Sequence, residues 1–389
     1  MRICHITPEY PPRVGGVGDY VRCLSREFAA RGHDVTVVTS AGLGEAAGSG
    51  GAPSPRVLPV IKAWNLRGLR KLLKTLGAVN ADVYVLEYVA YMYGRGGVAP
   101  WLLAFFLKFK LDGRKPLVLN AHELWRPPYR SARDKMLTLI SWAVFLGGVW
   151  ASARVVVTND FRETLMTRVL GVNSGRVKRI PVGANVEPAA PYPYPAADNG
   201  EFRVMTFGRW HEDRSVEDVV EAVADLRSSR RVGLSVIGSY NHGDRQGARA
   251  RRLRERAERA EWLEITGDLS SEQVSDHFAK ADVFVSPLAG GPSGRRGSVV
   301  AALAHGLPVV AYDGHERDDI FRSGDNVVLV KAGDRAGLRA VLQALAEDGS
   351  LRLDLGVRAR ATFEDHFAWD VIAGKWEELF AELAPREGP

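Results

Sequence analysis

The sequence predicts an α/β protein built from two doubly wound domains, and three observations carry that reading. Short β-branched runs recur between helix-like stretches along nearly the whole chain. They fall into two sets, parted by a segment too rich in proline to continue a sheet or a helix. The length, 389 residues, exceeds one ordinary core and suits two domains of typical size.

The first set of runs is Ile3–Ile6, Val35–Val38, Val83–Leu86, Leu117–Leu119 and Val155–Val157. The second is Val204–Phe207, Leu234–Ile237, Leu263–Ile265, Val283–Val285, Val309–Ala311 and Val327–Val330. Continuous apolar strands with helical crossovers describe parallel sheets covered on both faces. Between the sets lie Pro181-Val182-Gly183 and a run from Glu187 to Pro195 with prolines at 188, 191, 193 and 195, a semi-rigid linker. The expected division is a first domain at 1–183, the linker at 184–201, a second domain at 202–362 and a terminal segment at 363–389. Ligands of doubly wound sheets bind at the carboxyl ends of the strands, so those ends are expected to face a shared cleft.

Composition narrows the class. Hydrophobic residues make up 46% and charged residues 25%, which fits a soluble globular protein and excludes disordered, collagenous and repeat chains. Cys4 and Cys23 are too few for a disulfide scaffold or a zinc site, and their apolar settings read as reduced thiols of a cytoplasmic protein. No cationic-then-apolar leader precedes Arg2-Ile3-Cys4-His5-Ile6, so no secretory signal is expected. The net charge of +6, carried mostly by arginine, suits an anionic ligand or an acidic lipid.

Three stretches have a bland reading beside a sharper one. Met136–Ala153 is uncharged and long enough to suggest a membrane span, yet it includes Thr138, Ser141 and Ser152 and runs straight into a strand. It reads as a helix buried in an α/β domain. Arg245–Glu261 alternates arginine with glutamate and reads as a solvated helix whose acids would repel phosphates, so no nucleic-acid partner is expected. Trp101–Lys110 admits a core helix with lysine tips, or a surface touching lipid or a greasy acceptor.

The residues with chemistry stand where strands open into loops. After the first strand, Gly15-Gly16 precedes a helix with Val21, Leu24 and Phe28 inward. Paired glycines there let backbone N–H groups approach an anion, although a plain tight turn explains them too. The first strand of the second domain opens into Phe207-Gly208-Arg209-Trp210-His211-Glu212-Asp213-Arg214-Ser215. Arg209 and Arg214 put two guanidinium groups on one loop, able to hold a diphosphate without a metal ion. The next strand ends at Gly238-Ser239, a glycine where a backbone must come close to a ligand. Farther on, Ser293-Gly294-Arg295-Arg296-Gly297-Ser298 precedes a helix expected at Val299–His305 and ended by Gly306 and Pro308. Ser293 or Ser298 is expected to cap it, and Arg295 with Arg296 makes its amino end attractive to phosphate.

At these residues the chain resembles the GT-B glycosyltransferases, and within them the retaining group of family 4. The resemblance runs over nearly the whole chain. It rests on Gly15-Gly16, Gly32-His33-Asp34-Val35, His122-Glu123, Pro181-Val182-Gly183-Ala184-Asn185-Val186, Gly208-Arg209, Thr266-Gly267-Asp268-Leu269-Ser270 and Ala302–Pro308. The Phe363–Phe380 segment is similar to the helix with which these enzymes return to their first domain.

The resemblance implies transfer of a sugar, with retention, from a UDP-, GDP- or ADP-linked donor to a small-molecule, lipid or glycan acceptor. The nucleotide sugar is then a co-substrate, and neither cofactor nor metal is expected. Arg209 matches the family's phosphate-binding arginine, and Arg214 stands where lysine is usual. His122 matches the histidine beside the donor sugar. Gly15, Gly16, Gly208, Gly238, Leu269, Ser293, Arg295, Arg296, Gly297 and Ser298 become donor-binding expectations. Ser293 and Ala301 replace the two glutamates the family carries eight positions apart, as in branches with an Arg-Arg-Gly-Ser loop. Work in the cytoplasm, peripheral to the inner face of a membrane, agrees with this, and natural-product or envelope glycosylation suits the arginine-rich composition. Two alternatives stay open: another GT-B activity, inverting transfer or nucleotide-sugar epimerisation, and a noncatalytic nucleotide-sugar-binding protein.

Overall fold

The computed structural model describes residues 1–13, 15–43, 53–113, 115–125, 131–188, 200–210, 213–238 and 245–383, with Arg245 and Gln246 described by backbone alone. Val14, His211, Glu212, Ser239 and the linker prolines after Pro188 lie outside the described residues. The chain divides into two compact units. One holds Met1–Thr158, Arg162–Pro181 and the chain from Ile372 onward; the other holds Asn159–Phe161 and Val182–Val371.

The first unit is built on seven parallel strands: β1 (Arg2–Ile6), β2 (Asp34–Ser40), β3 (Arg56–Ile61), β4 (Val83–Tyr88), β5 (Leu117–Ala121), β6 (Arg154–Val157) and β7 (Val177–Arg179). They run in the order β3-β2-β1-β4-β5-β6-β7. The chain therefore reverses direction across the sheet between β1 and β4, the point where doubly wound sheets open a crevice. Every expected run of this unit lies on a strand, whereas β3 and β7 were not anticipated. Both are edge strands. Pro59 sits within β3, where an edge tolerates its missing donor, and Val177-Lys178-Arg179 is too short and polar to look like a strand.

Helices cover both faces. The Gly16–Ala30 helix buries Tyr20, Val21, Leu24 and Phe28 on one side. The Trp369–Leu383 helix joins it there, with Trp376 Nε1 donating to the Tyr20 hydroxyl at 3.0 Å and Phe380 beside Phe28. The other face packs the Leu66–Val79, Trp101–Leu111 and Ala132–Ala151 helices into a single core. Trp101, Leu102, Phe105, Phe106 and Phe109 are buried in it, so the core-helix reading holds for that side of the segment. The buried-helix expectation for Met136–Ala153 needs correction. Val144, Phe145, Gly148 and Val149 face the sheet, but Met136, Leu139, Trp142, Leu146 and Trp150 are exposed. The helix covers the sheet with one side, and its other side was made apolar too. Among the described residues no helix is long and apolar enough to cross a membrane.

The second unit repeats the plan with β8 (Phe202–Phe207), β9 (Val232–Ile237), β10 (Leu263–Ile265), β11 (Val283–Ser286), β12 (Val309–Asp313) and β13 (Val328–Lys331). Their order is β10-β9-β8-β11-β12-β13, all parallel. Alternate residues feed two cores, Val204, Val283 and Val285 on one face and Met205, Phe284 and Val309 on the other. Period-two alternation with both faces apolar is what a covered sheet requires. The doubly wound α/β expectation thus holds for each unit.

Candidate active site

In the second unit the β8 and β11 loops leave the carboxyl ends of the two strands that flank the reversal, Gly238 follows β9 and Leu269 follows β10. The β8 and β11 loops are sewn together by backbone. Ser215 N donates to the Pro287 carbonyl and Ala289 N to the Asp213 carbonyl, both at 2.8 Å. Gly208 and Gly238 have φ of 132° and 137°, the left-handed region that favours glycine. A Cβ on Gly238 would lie 2.2 Å from the Gly208 carbonyl oxygen, and one on Gly208 would lie 2.7 Å from Arg214 Nη2. These glycines let two loops and a guanidinium stack in close contact.

The two arginines of the β8 loop differ. Arg214 is buried, with Nη1 donating to the Phe207 carbonyl at 2.8 Å and Nε without a partner among the described residues. No carboxylate pairs with it within 4 Å among the described residues. Burial pulls its pKa down to about 10, with the Arg296 charge adding to that and Asp213 opposing it. It still carries its charge at neutral pH. Arg209 is exposed, and no side chain among the described residues holds it.

The β11 loop corrects an expectation. The helix begins at Gly297 and ends at Ala304, with Arg296 in the capping position and no side-chain cap. Ser298 lies inside the first turn, and Ser293 Oγ is buried without a partner among the described residues. Neither serine caps, because the helix starts before the expected Val299. Its first amides, Gly297 and Ser298, have no side-chain partner among the described residues. Arg295 and Arg296 are not free cations. Arg295 Nη1 donates to Glu316 Oε2 at 2.9 Å, and Arg296 Nη2 to Glu316 Oε2 at 3.1 Å and Asp213 Oδ2 at 3.3 Å. Burial and the Arg295 charge lower the Arg296 pKa against the pull of those two acids. Asp318 fixes the loop from below, accepting from Gly294 N at 2.6 Å and Asp160 N at 2.8 Å. Leu269, at the end of the β10 loop, is half-buried against the second core, one residue before the Ser270 capping box. Ala301 is fully buried, so a glutamate there would have to be accommodated inside that core.

In the first unit His122 follows β5, with Nε2 2.7 Å from Glu87 Oε2. Glu87 ends the apolar run of β4 and is completely buried. His5 Nδ1 of β1 lies 2.7 Å from its Oε1, and Asn120 Nδ2 donates to Oε2 at 2.8 Å. Burial alone would raise the Glu87 pKa, but hydrogen bonds from His122 and His5 outweigh it and bring it down to about 2. An ionised Glu87 can only accept, so it takes the hydrogen bond from His122 Nε2 and fixes the ring's orientation. Tyr20 meets the His122 ring edge-on at 5.0 Å between centroids. Gly15 and Gly16 stand at the start of the first helix, but the anion found there is the chain's own: Glu9 Oε1 accepts from Gly18 N at 3.2 Å. Sequence reasoning missed Glu87, His5 and Glu316. A glutamate and a histidine inside otherwise apolar strands were the legible signal for the first two.

The comparisons with known proteins agree on one family. Residues 14–188 match Glycosyltransferase Family 4, and residues 201–348 match Glycosyl transferases group 1. A phosphatidyl-myo-inositol mannosyltransferase of Mycobacterium leprae is 25% identical over 99% of this chain and 97% of its own length. Among solved structures, a sucrose-phosphate synthase from Thermosynechococcus elongatus superposes with a TM-score of 0.72 at 19% identity, covering 98% of both chains. Anabaena HepE in complex with UDP and glucose also scores 0.72, at 15% identity over 98% of this chain and all of that one. At such identities the likeness speaks for the fold.

Proposed function

The chain belongs to glycosyltransferase family 4, and from that premise we propose that it moves a sugar from a nucleoside-diphosphate donor to a hydroxyl acceptor with retained configuration. What supports this reading is that the second unit carries Arg209 and Arg214 on the β8 loop and, after the β11 loop sewn to it, a helix end with no side-chain cap. An unheld cation, a buried cation short of a partner and free amides form a site that asks for a diphosphate.

The chemistry follows from where charge develops. As the bond between the anomeric carbon and the phosphate oxygen breaks, negative charge grows on the departing diphosphate. Arg209, Arg214 and the amides of Gly297 and Ser298 stabilise it there without rearranging. Arg295 and Arg296, tied to Glu316, shape the loop and contribute a smaller share. His122 acts at the sugar or the acceptor hydroxyl, its ring oriented by Glu87. The acceptor oxygen bonds to the anomeric carbon on the face the phosphate leaves, and the leaving phosphate takes the acceptor proton. Double displacement is disfavoured, since both Glu87 oxygens are engaged and buried and offer no nucleophile.

Leu269 and Ser293 complete the donor site in this reading, the former against the base. The relative from Mycobacterium leprae is a phosphatidylinositol mannosyltransferase by name, which supports a lipid-borne acceptor and work at the inner face of a membrane. Incubation with a panel of UDP-, GDP- and ADP-sugars, followed by proton NMR of fresh product, reads the anomeric coupling directly. Retention is expected, and intact-protein mass spectrometry should find no sugar adduct. An inverted product removes the assignment. The noncatalytic reading draws on Ser293 and Ala301 in place of the glutamates; donor binding with neither hydrolysis nor transfer would select it.

A further inference from the structure

The outer faces of two helices in the first unit belong to neither site. Leu103, Leu107 and Leu111 repeat at every fourth residue along the Trp101–Leu111 helix, and Leu111 is 75% exposed. On the Ala132–Ala151 helix, Leu139, Trp142, Leu146 and Trp150 follow the three-and-four spacing of a single helical face. Leu139 is 64% exposed and Trp150 52%. The helices touch, with Leu103 against Gly147 and Lys110 Nζ donating to the Trp150 carbonyl at 3.0 Å, so the two stripes form one surface. Apolar residues gathered in this way, rather than scattered, mark a contact surface.

Charge says what the surface meets. The three helices on this side of the sheet, Leu66–Val79, Trp101–Leu111 and Ala132–Ala151, carry eight lysines and arginines against one aspartate, while the whole chain has 52 against 46. Asp112, just past the second helix, answers Lys108 at 3.5 Å and leaves the others of that count in excess. Arg67, Arg70, Lys71 and Lys74 are exposed on the first of these helices, and Lys108 and Lys110 on the second. Lys110 also lies 4.6 Å over the Trp150 ring, a pairing of aromatic body and cationic tip suited to a headgroup boundary.

We infer that the first unit docks on an anionic lipid bilayer through the outer faces of its Trp101–Leu111 and Ala132–Ala151 helices. The leucines and tryptophans enter the acyl boundary while the flanking lysines and arginines meet acidic headgroups. The helices lie on the bilayer, since neither is long and apolar enough to cross it. A second copy of the chain is a poorer occupant, because it would oppose the same positive charges. This rests on the membrane reading proposed above and names the surface for it, and because its test uses no turnover assay its failure leaves the transfer reaction untouched.

The full chain is sedimented with vesicles of phosphatidylcholine alone and of phosphatidylcholine with phosphatidylglycerol. Binding to the anionic vesicles is expected, at least tenfold stronger than to neutral ones. A triple variant, Leu107→Ser, Leu139→Ser and Trp150→Ser, should lose at least tenfold, and Lys108→Glu with Lys110→Glu should lose the preference for acidic lipid. Circular dichroism and donor calorimetry on the variants establish that both units are folded. Vesicle binding unchanged in the triple variant would overturn the proposal. So would an oligomer of the unmodified chain that the triple variant dissolves, with no vesicle binding by either.

Discussion

The two sheets share one strand order over six strands and put opposite charges at the same topological point. Beside the reversal in the first unit stands Glu87, buried and surrounded by donors from His5, His122 and Asn120. Beside the reversal in the second stands Arg214, equally buried but holding a carbonyl and no carboxylate among the described residues. A buried charge that its own chain satisfies can only position its neighbours. One left short of partners is ready for a ligand. The helix ends repeat the contrast, Glu9 lying at the first helix of the first unit and no side chain capping Gly297–Ala304. One architecture thus carries a buried cation short of partners in the second unit, the anion site of the proposed reading, and a positioned histidine in the first.

The largest effect tests the anion side of this contrast. Replacing Arg209→Ala or Arg214→Ala should lower turnover by about two orders of magnitude or more, as expected when a donor to a developing anion is lost. EDTA should leave the unmodified enzyme active. Strict dependence on a divalent ion, with both variants still active, would break the contrast at its stronger end. Next in size is Glu87→Gln, which keeps the shape but removes the charge that orients the His122 ring. Turnover should fall roughly ten- to hundredfold, a modest share of what general acid–base positioning supplies. Donor affinity by calorimetry should not move, since Glu87 belongs to the other unit. A loss of affinity equal to the loss of turnover would make Glu87 merely structural.

How much of this could be read in advance depended on range along the chain. The strands were legible because covered parallel strands are continuously apolar, and the two that escaped, β3 and β7, are edges whose pattern is diluted by Pro59 and by Lys178-Arg179. The places of His122, Arg209 and Arg214 after strands were legible. What pairs with His122 and with the Arg295-Arg296 pair was not. Glu316 reaches Arg295 and Arg296 from a loop some twenty residues away, and Glu87 reaches His5 and His122 from a different strand. Such partners are set by strand order, which one sequence does not display. Helix starts failed for a local reason: Arg296 holds the position where a serine was expected, and the helix begins two residues early.

A smaller effect sharpens the contrast inside the anion site. Arg296 shares Glu316 with Arg295 and meets Asp213, so much of its charge is answered within the protein. Arg296→Ala should weaken donor binding only about three- to tenfold, the range of a single partly neutralised hydrogen-bonding cation. Glu316→Gln, by freeing both arginines, should strengthen it. If Arg296→Ala leaves affinity untouched, the pair is wholly a scaffold for the loop.

The smallest effect is absent at pH 7 and separates the two units on acidification. His305 is fully buried in the second unit, with Nδ1 2.7 Å from the Ala301 carbonyl and its ring stacked on Phe278 at 4.6 Å. Burial lowers its pKa from 6.5 to about 4, so the folded unit keeps it neutral where the unfolded chain would bind a proton. Its contribution is complete above pH 6.5 and is lost as pH falls toward 4. Glu87, held at about 2 against an ordinary 4.5, keeps its contribution down to pH 4.5 and loses it only below. Between pH 6.5 and 4.5 the second unit alone should weaken. At pH 5.5 the loss is about 1.4 kcal/mol, one unit of proton linkage. That corresponds to a fall of about 3–5 °C in unfolding temperature for a domain of this size. Calorimetric melts at pH 7.5 and 5.5 should show one transition moving alone, that of the second unit, and His305→Gln should remove the shift while lowering stability at both values. A shift of the same size in His305→Gln would assign the acid sensitivity to another group, and movement of both transitions together would deny the units their separate electrostatics.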